Sequence, residues 1–291
     1  MSMNEHLRDA GMTAMLLFAL ACTVVAGDDD KKMTEGIAAS YLATLVSVEI
    51  VPENGAPRPV GSAFLVLTTN KHVLLVTAKH VVVDEHGQSR PNLAYRFNRN
   101  QGPSELITDS FMRTNNVQGW FFSATADVAC RFIAYHTDAH INNLPLDMFL
   151  AAARIQPGAP VLVPGFPMGI RSTEYANPIV RRGVVARVEA NHIILDAFVF
   201  PGNSGGPVFY VPTVKFGDGI DKPFINQDCL IGLVSQSISY VDTAVSLQTQ
   251  KPRVTFEENA GLCNVVPADA ILALINREDV RRLDSTLTEI E

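Results

Sequence analysis

The sequence predicts an all-β protein built from two groups of strands with a short C-terminal helix. Three observations lead there. From about Leu42 the chain becomes a series of short apolar runs rich in β-branched residues, separated by turn residues, the texture of sandwiches and barrels. No fixed internal period appears, which argues against a solenoid or propeller. Helical periodicity is sparse, and 291 residues suit about two folding units.

In chain order, Ala10 to Gly27 comes first, eighteen residues without a charge and centred on Met15 to Ala21. That length is shared by secretory signals and short membrane spans. Ala19-Leu20-Ala21 reads as a cleavage site, Ala26 offers a second, and Cys22 after Ala21 resembles a lipoprotein signal. Arg8 is the only cation before the run, so orientation is weakly encoded. The alternative is a buried helix, but Asp28-Asp29-Asp30-Lys31-Lys32 ends the run sharply. Export or anchoring to the cell envelope is therefore expected, with signal peptide, lipidated Cys22 and anchor left open. The Asp28 to Lys32 run also resembles an enteropeptidase site, although a charge run of this kind is ordinarily a solvated linker.

Strands are expected at Leu45 to Val51, ended by Pro52-Glu53-Asn54-Gly55, and at Gly61 to Leu67 and His72 to Thr77, joined by the turn Thr68 to Lys71. Further strands are expected at Asp127 to Tyr135, Pro160 to Val163, Gly183 to Glu189, His192 to Phe200, Pro207 to Val211 and Leu230 to Ser235. A short helix is expected over Leu146 to Arg154, and a better one from Pro267-Ala268-Asp269, where Ala270, Ile271, Leu274 and Ile275 form an apolar face. Pro212 to Asp228 and Ser239 to Asn259 read as long surface loops, and Arg277 to Glu291 as a frayed, charged tail.

Composition narrows the function. Charged residues make up 18%, below the usual roughly 25%, and apolar residues 47%, so a disordered chain is excluded. A net charge of −7 argues against a nucleic-acid partner. Four cysteines are too few for a disulfide scaffold; Cys130, Cys229 and Cys263 lie in or beside apolar runs, where buried thiols are expected. No clustered ligand spacing suggests a metal, and no cofactor is implied.

The richest stretch is Pro201-Gly202-Asn203-Ser204-Gly205-Gly206-Pro207, set between apolar strands. As structure alone it is a hairpin loop. As chemistry, its glycines let the backbone turn sharply, and a serine at the tip beside open N–H groups can attack a carbonyl and hold the resulting oxyanion. Serine needs a base. Of seven histidines, His6, His72, His86, His136, His140 and His192 sit in the leader, in turns or in polar loops. His80 differs, since it follows the apolar strand Val73 to Val76 through Thr77-Ala78-Lys79. The base in turn needs a carboxylate to fix its tautomer. Asp127, in Ala124-Thr125-Ala126-Asp127-Val128-Ala129, is the best placed and is expected to be substantially buried.

These three blocks, Thr77-Ala78-Lys79-His80, Asp127-Val128-Ala129 and Gly202 to Pro207, resemble the signature blocks of the chymotrypsin-fold, trypsin-like serine proteases, in that family's order of His, Asp and Ser. The texture is similar to bacterial trypsin-like peptidases and the Deg/HtrA branch, over roughly residues 42 to 276. Gly61 to Val66, Gly165 to Gly169, Gly183-Val184-Val185 and Val266 to Asp269 fit as well.

The resemblance implies two six-stranded antiparallel β-barrels, at 42–139 and at 159–276 with the terminal helix, joined by 140–158. Residues 1–27 would be the leader, 28–41 a linker and 277–291 the tail. It implies Ser204 as nucleophile, His80 as general base and acid, Asp127 as the orienting carboxylate, and the N–H groups of Gly202 and Ser204 as the oxyanion hole. Phe198, six residues before the nucleophile, would floor the specificity pocket, so an apolar residue before the scissile bond is expected. Ser235, Gln236 and Ser237 would run along the substrate backbone. Asn203 stands where digestive members carry aspartate, so activation through a freed N-terminus is not expected. With 87 residues after Ser204, a PDZ module is not expected.

The expected function is therefore a serine endopeptidase acting on polypeptides, with membrane attachment open through residues 10–27 or Cys22. Its activity should fall below about pH 6.5 as the base protonates. Two alternatives stand: a catalytically silent protease-like binding module of the envelope, and an esterase-type acyl hydrolase.

Overall fold

The computed structural model describes residues 39–287 except 115–118, 173 and 213–227. The uncharged leader, most of the linker and most of the Pro212 to Asp228 segment lie outside the described residues. A short helix α1 (Ala39–Leu42) is followed by eight strands of one sheet: β1 (Leu45–Ile50), β2 (Arg58–Leu67), β3 (Val73–Thr77), β4 (Leu93–Phe97), β5 (Glu105–Thr108), β6 (Phe121–Phe122), β7 (Ala129–Phe132) and β8 (Leu144–Pro145). The path is β5-β4-β1-β2-β3-β7-β6, and β8 adds to β2 as a parallel pair. Helices α2 (Lys79–Val82) and α3 (Asp109–Thr114) interrupt it.

The second sheet is a closed barrel of β9 (Pro160–Gly165), β10 (Ile179–Val188), β11 (Ile193–Asp196), β12 (Pro207–Tyr210), β13 (Cys229–Val245) and β14 (Pro252–Pro267). Its order is β10-β11-β14-β13-β12-β9, with every pair antiparallel. The all-β class and the six-stranded second barrel are as the sequence implied. The first sheet differs in count, with eight strands, because β6 and β8 are two-residue additions at its margins.

Continuous burial marks the first sheet, where β3 and β7 are buried throughout and β2 from Gly61 to Val66. In β1 the run Leu45 to Glu49 is buried throughout, because both faces are covered. Val46, Val48, Phe64, Val66, Leu74 and Val76 join one core, whereas Val161, Val163, Ile193, Leu195, Val208 and Ile231 build the other. Cys130, Cys229 and Cys263 are all buried, and burial pushes the Cys130 and Cys263 thiols up to about 12.

Two expectations fail at the C-terminal side. Ser239 to Asn259 is not a loop: β13 and β14 run on past the barrel as a hairpin, paired from Ser239 with Asn259 to Val245 with Pro252. Arg277 to Glu291 is not simply a frayed tail. After α4 (Ala268–Ile275), α5 (Glu278–Asp284) forms, and Val280 joins Ile271, Leu274 and Ile275 in the core of the first sheet. Helices that follow the second barrel thus close over the first. The buried Asp284 carboxylate anchors α5 by accepting from Thr68 Oγ1 at 2.8 Å and Asn70 Nδ2 at 3.0 Å, and it lies 2.9 Å from His72 Nδ1. His72 is accordingly part of a buried cluster, not a loop residue. The expected helix over Leu146 to Arg154 is two 3-10 turns, Leu146–Met148 and Ala152–Arg154.

Candidate active site

His80 sits in the first turn of α2, just after β3, and Asp127 lies two residues before β7. Because β3 and β7 pair from Leu74 with Phe132 to Thr77 with Ala129, the two side chains leave the same end of the sheet. Asp127 Oδ2 lies 2.8 Å from His80 Nδ1, and the His80 backbone N–H donates to Asp127 Oδ1 at 3.0 Å. The two carboxylate oxygens therefore grip the histidine by ring and backbone together.

Asp127 is less buried than its setting implied, with a side chain 28% exposed. Burial pushes its carboxyl up, but the hydrogen bonds from His80 and Ser235, the His80 charge and the His80 backbone N–H together outweigh it and hold it at about 2. An ionised carboxylate is acceptor only, so Nδ1 carries a hydrogen, and in the neutral imidazole it is Nε2 that keeps the lone pair.

Ser204 stands in the turn before β12. Gly202 and Gly205 have φ of +100° and +82°, left-handed backbone that favours glycine. Neither position has room for a side chain: a Cβ at Gly202 would lie 2.3 Å from the Phe166 carbonyl oxygen, and one at Gly205 2.1 Å from that of Ser62. Within the turn, the N–H groups of Asn203, Gly205 and Gly206 donate to Phe200, Val234 and Asn203 carbonyls. Those of Gly202 and Ser204 have no acceptor among the described residues. They are the two donors that the resemblance assigned to an oxyanion.

Strand β2 holds this turn. The Ser62 N–H donates to the Ser204 carbonyl at 2.8 Å, and Ser62 Oγ donates to the Gly202 carbonyl at 2.6 Å while accepting from the Phe166 N–H at 3.0 Å. Asn203 is fully buried, and its Oδ1 accepts from the Phe200 N–H at 3.0 Å.

Ser204 Oγ donates to the Ser235 carbonyl at 2.9 Å and makes no hydrogen bond to His80. Ser235 Oγ, in turn, donates to Asp127 Oδ2 at 2.6 Å. Ser235 was expected only as substrate-binding backbone; its carbonyl accepts from Ser204 and its hydroxyl donates to Asp127, so the residue links Ser204 to the Asp127–His80 pair. The only signal in the sequence was its position at the end of the apolar run Leu230 to Val234. Gln236 and Ser237 continue β13 away from Ser204. Phe198 is 54% exposed, its ring edge 3.3 Å from where a Cβ on Gly261 would lie. It therefore stands at an open surface between β11 and the turn. Among the described residues no cluster of three His, Cys, Asp or Glu side chains is arranged to hold a metal.

The sequence pattern of the trypsin-like peptidase domain matches residues 61–212, just over half of the chain, and this span contains His80, Asp127 and Ser204. The chain belongs to the trypsin-like peptidase family. No curated protein matches it in sequence. Among solved structures, this trypsin-like peptidase is similar to the HtrA-type protease AlgW with a tripeptide, at 15% identity and a TM-score of 0.44, over 81% of this chain and 60% of that one. A second AlgW structure, with a decapeptide, gives 13% identity and 0.43, over 80% and 62%. The chain thus spans under two thirds of the length of these structures.

Proposed function

We propose that the protein is a serine endopeptidase that cleaves polypeptides through an acyl-enzyme. The observation that carries this reading is the network joining His80, Asp127, Ser235 and Ser204 beside two N–H groups without acceptors. His80 Nε2 takes the Ser204 hydroxyl proton as Oγ bonds to the scissile carbonyl carbon. The negative charge that develops on the carbonyl oxygen is held by the N–H groups of Gly202 and Ser204, each such donor contributing roughly 100- to 1000-fold in rate. His80 then passes its proton to the leaving amine as the C–N bond breaks. Water then bonds to the acyl carbon as His80 takes its proton, and His80 returns that proton to Ser204 Oγ as the ester bond breaks. Asp127 remains ionised throughout and stabilises the imidazolium.

This reading requires the Ser204 hydroxyl to leave the Ser235 carbonyl for His80 Nε2. Contacts of this kind are commonly loose before substrate binds. Phe198 and its neighbours favour an apolar residue before the scissile bond. Export, with residues 10–27 as leader or anchor, belongs to the same proposal. A second reading, a protease-like module without catalysis, draws on the present engagement of Ser204 with Ser235.

Casein hydrolysis by the purified protein, lost in both Ser204→Ala and His80→Ala, tests the endopeptidase reading. Hydrolysis of small esters without any casein cleavage would replace it with an esterase. A preference for arginine over valine or leucine before the cleaved bond would overturn the pocket assignment.

A further inference from the structure

The barrel strand that starts at the nucleophile does not stop with the barrel. Beyond Ser235, β13 continues for ten residues to Val245, about 30 Å at the usual rise, and pairs only with β14 among the described residues. Its other edge is paired by β12 no further than Leu233 and by the Ser204 turn no further than Ser235.

The hydrogen-bonding phase of that edge can be read from both ends. At the tip, the Ser246 N–H donates inward to the Lys251 carbonyl, and Val245 lies opposite Pro252, which has no N–H. At the base, Val234 exchanges hydrogen bonds with Gly205 and Gly206 on the outer side, and Ser235 is the extra residue of a bulge. Antiparallel alternation then turns the N–H and C=O groups of Ser237, Ser239, Val241, Thr243 and Val245 outward. The phase is continuous from the Ser204 side of the site to the tip.

The two free edges of the hairpin are unlike. On β14, Pro252, Arg253, Glu257 and Glu258 blunt the edge, the ordinary protection against strand addition, and the Gly261 carbonyl is taken by the Ala197 N–H. On β13, Ser235 to Val245 carries one charge, Asp242, and no proline. The side chains in the outward phase are serine, threonine and valine, which favour a pleated partner. Val241 and Val245 are each at least half exposed.

We propose that the β13 edge beyond the Ser235 to Ser237 stretch, from Ser239 to Val245, extends substrate binding as a rail. It pairs, antiparallel, with the residues of a polypeptide substrate that precede the bond attacked by Ser204. The proposal rests on the endopeptidase reading and adds to it a requirement for long, extended and weakly charged substrate on the N-terminal side of the cut. Each further pair of substrate residues completes two backbone hydrogen bonds on an edge already in extended conformation, so length in that direction raises kcat/KM.

Quenched fluorescent peptides with one shared cleavage site and three, six or nine residues before it test the rail. A parallel set is extended after the site instead. In the unmodified protein, kcat/KM should rise at least about tenfold from three to nine residues before the bond, and not with extension after it. The readout is the long-to-short ratio within each variant, so any loss of folded protein cancels. Val241→Pro removes an outward N–H, a place where proline is tolerated in a strand, and should bring the ratio close to one. Thr255→Pro, which faces Thr243 on the blunted edge, should keep it. A ratio near one in the unmodified protein, with short peptides still cleaved, overturns the rail and leaves the endopeptidase standing. So does a ratio that survives Val241→Pro. A dimer in solution that Val241→Pro dissociates would assign the edge to a second copy of the chain and overturn the proposal. Failure to cleave any peptide removes the endopeptidase reading, and the rail with it.

Discussion

Ser62 Oγ donates to the Gly202 carbonyl at 2.6 Å, so a hydroxyl from the first sheet sets the peptide plane of a turn in the second. The same residue's N–H donates to the Ser204 carbonyl. The two open N–H groups of the turn are therefore aimed by a strand that carries none of the reacting atoms.

Ser62→Ala keeps the backbone bond and removes the hydroxyl. Its expected effect is a fall in kcat of about tenfold, the size of one net hydrogen bond, with KM little changed. Steady-state kinetics on a peptide substrate measures both, and a change confined to KM would contradict the positioning role.

Ser235→Ala leaves Asp127 with the His80 contacts alone and takes away a donor that holds the carboxyl down. A three- to tenfold loss of kcat/KM is expected, with the fold retained. Ser235→Thr, which keeps the hydroxyl, should recover part of the loss. Equal loss in both variants would point to packing and not to the hydrogen bond.

The depressed Asp127 carboxyl makes a signed prediction for stability against pH. Its folded value of about 2 lies below the ordinary 3.8, so its stabilising contribution is complete above about pH 4 and fades as pH falls toward 2. Denaturant unfolding of the protein and of Asp127→Asn should differ at pH 7 and converge near pH 2. A difference that stays constant over that interval would contradict the carboxylate's role.

Asn203→Asp would place a carboxylate in a fully buried turn whose described residues include no cation partner. Destabilisation of roughly 2–3 kcal/mol at neutral pH is expected. The aspartate would have a raised pKa, so the loss should shrink as pH falls and the group protonates. Thermal unfolding at pH 7 and pH 4.5 separates this from a packing defect, which would be the same at both.

The turn at Gly202 to Gly206 and the approach of His80 to Asp127 were legible because backbone chemistry left little choice: two glycines at positive φ, and a histidine at a strand end. The β13–β14 hairpin was not, because its residues alternate without a buried face, so Ser239 to Asn259 lacks the apolar pattern that marks a half-buried strand. Helix α5 was hidden for a similar reason. Only Val280 and Leu283 mark its apolar side, and its third inward residue is Asp284, a buried acid that reads as surface. Strands β4 and β5 are short and flanked by turn residues, and no strand was expected there. Ser235 carries no motif of its own, and its role rests on β13 passing between Ser204 and Asp127, a relationship fixed only by the tertiary fold.

The central claim is that Ser204 is a nucleophile activated by His80. Labelling with a fluorophosphonate probe tests it most directly, because the probe bonds only to an activated serine. The account predicts one labelled site at Ser204, abolished by Ser204→Ala and strongly reduced by His80→Ala. No labelling of the folded protein, or labelling that persists in Ser204→Ala, would contradict it.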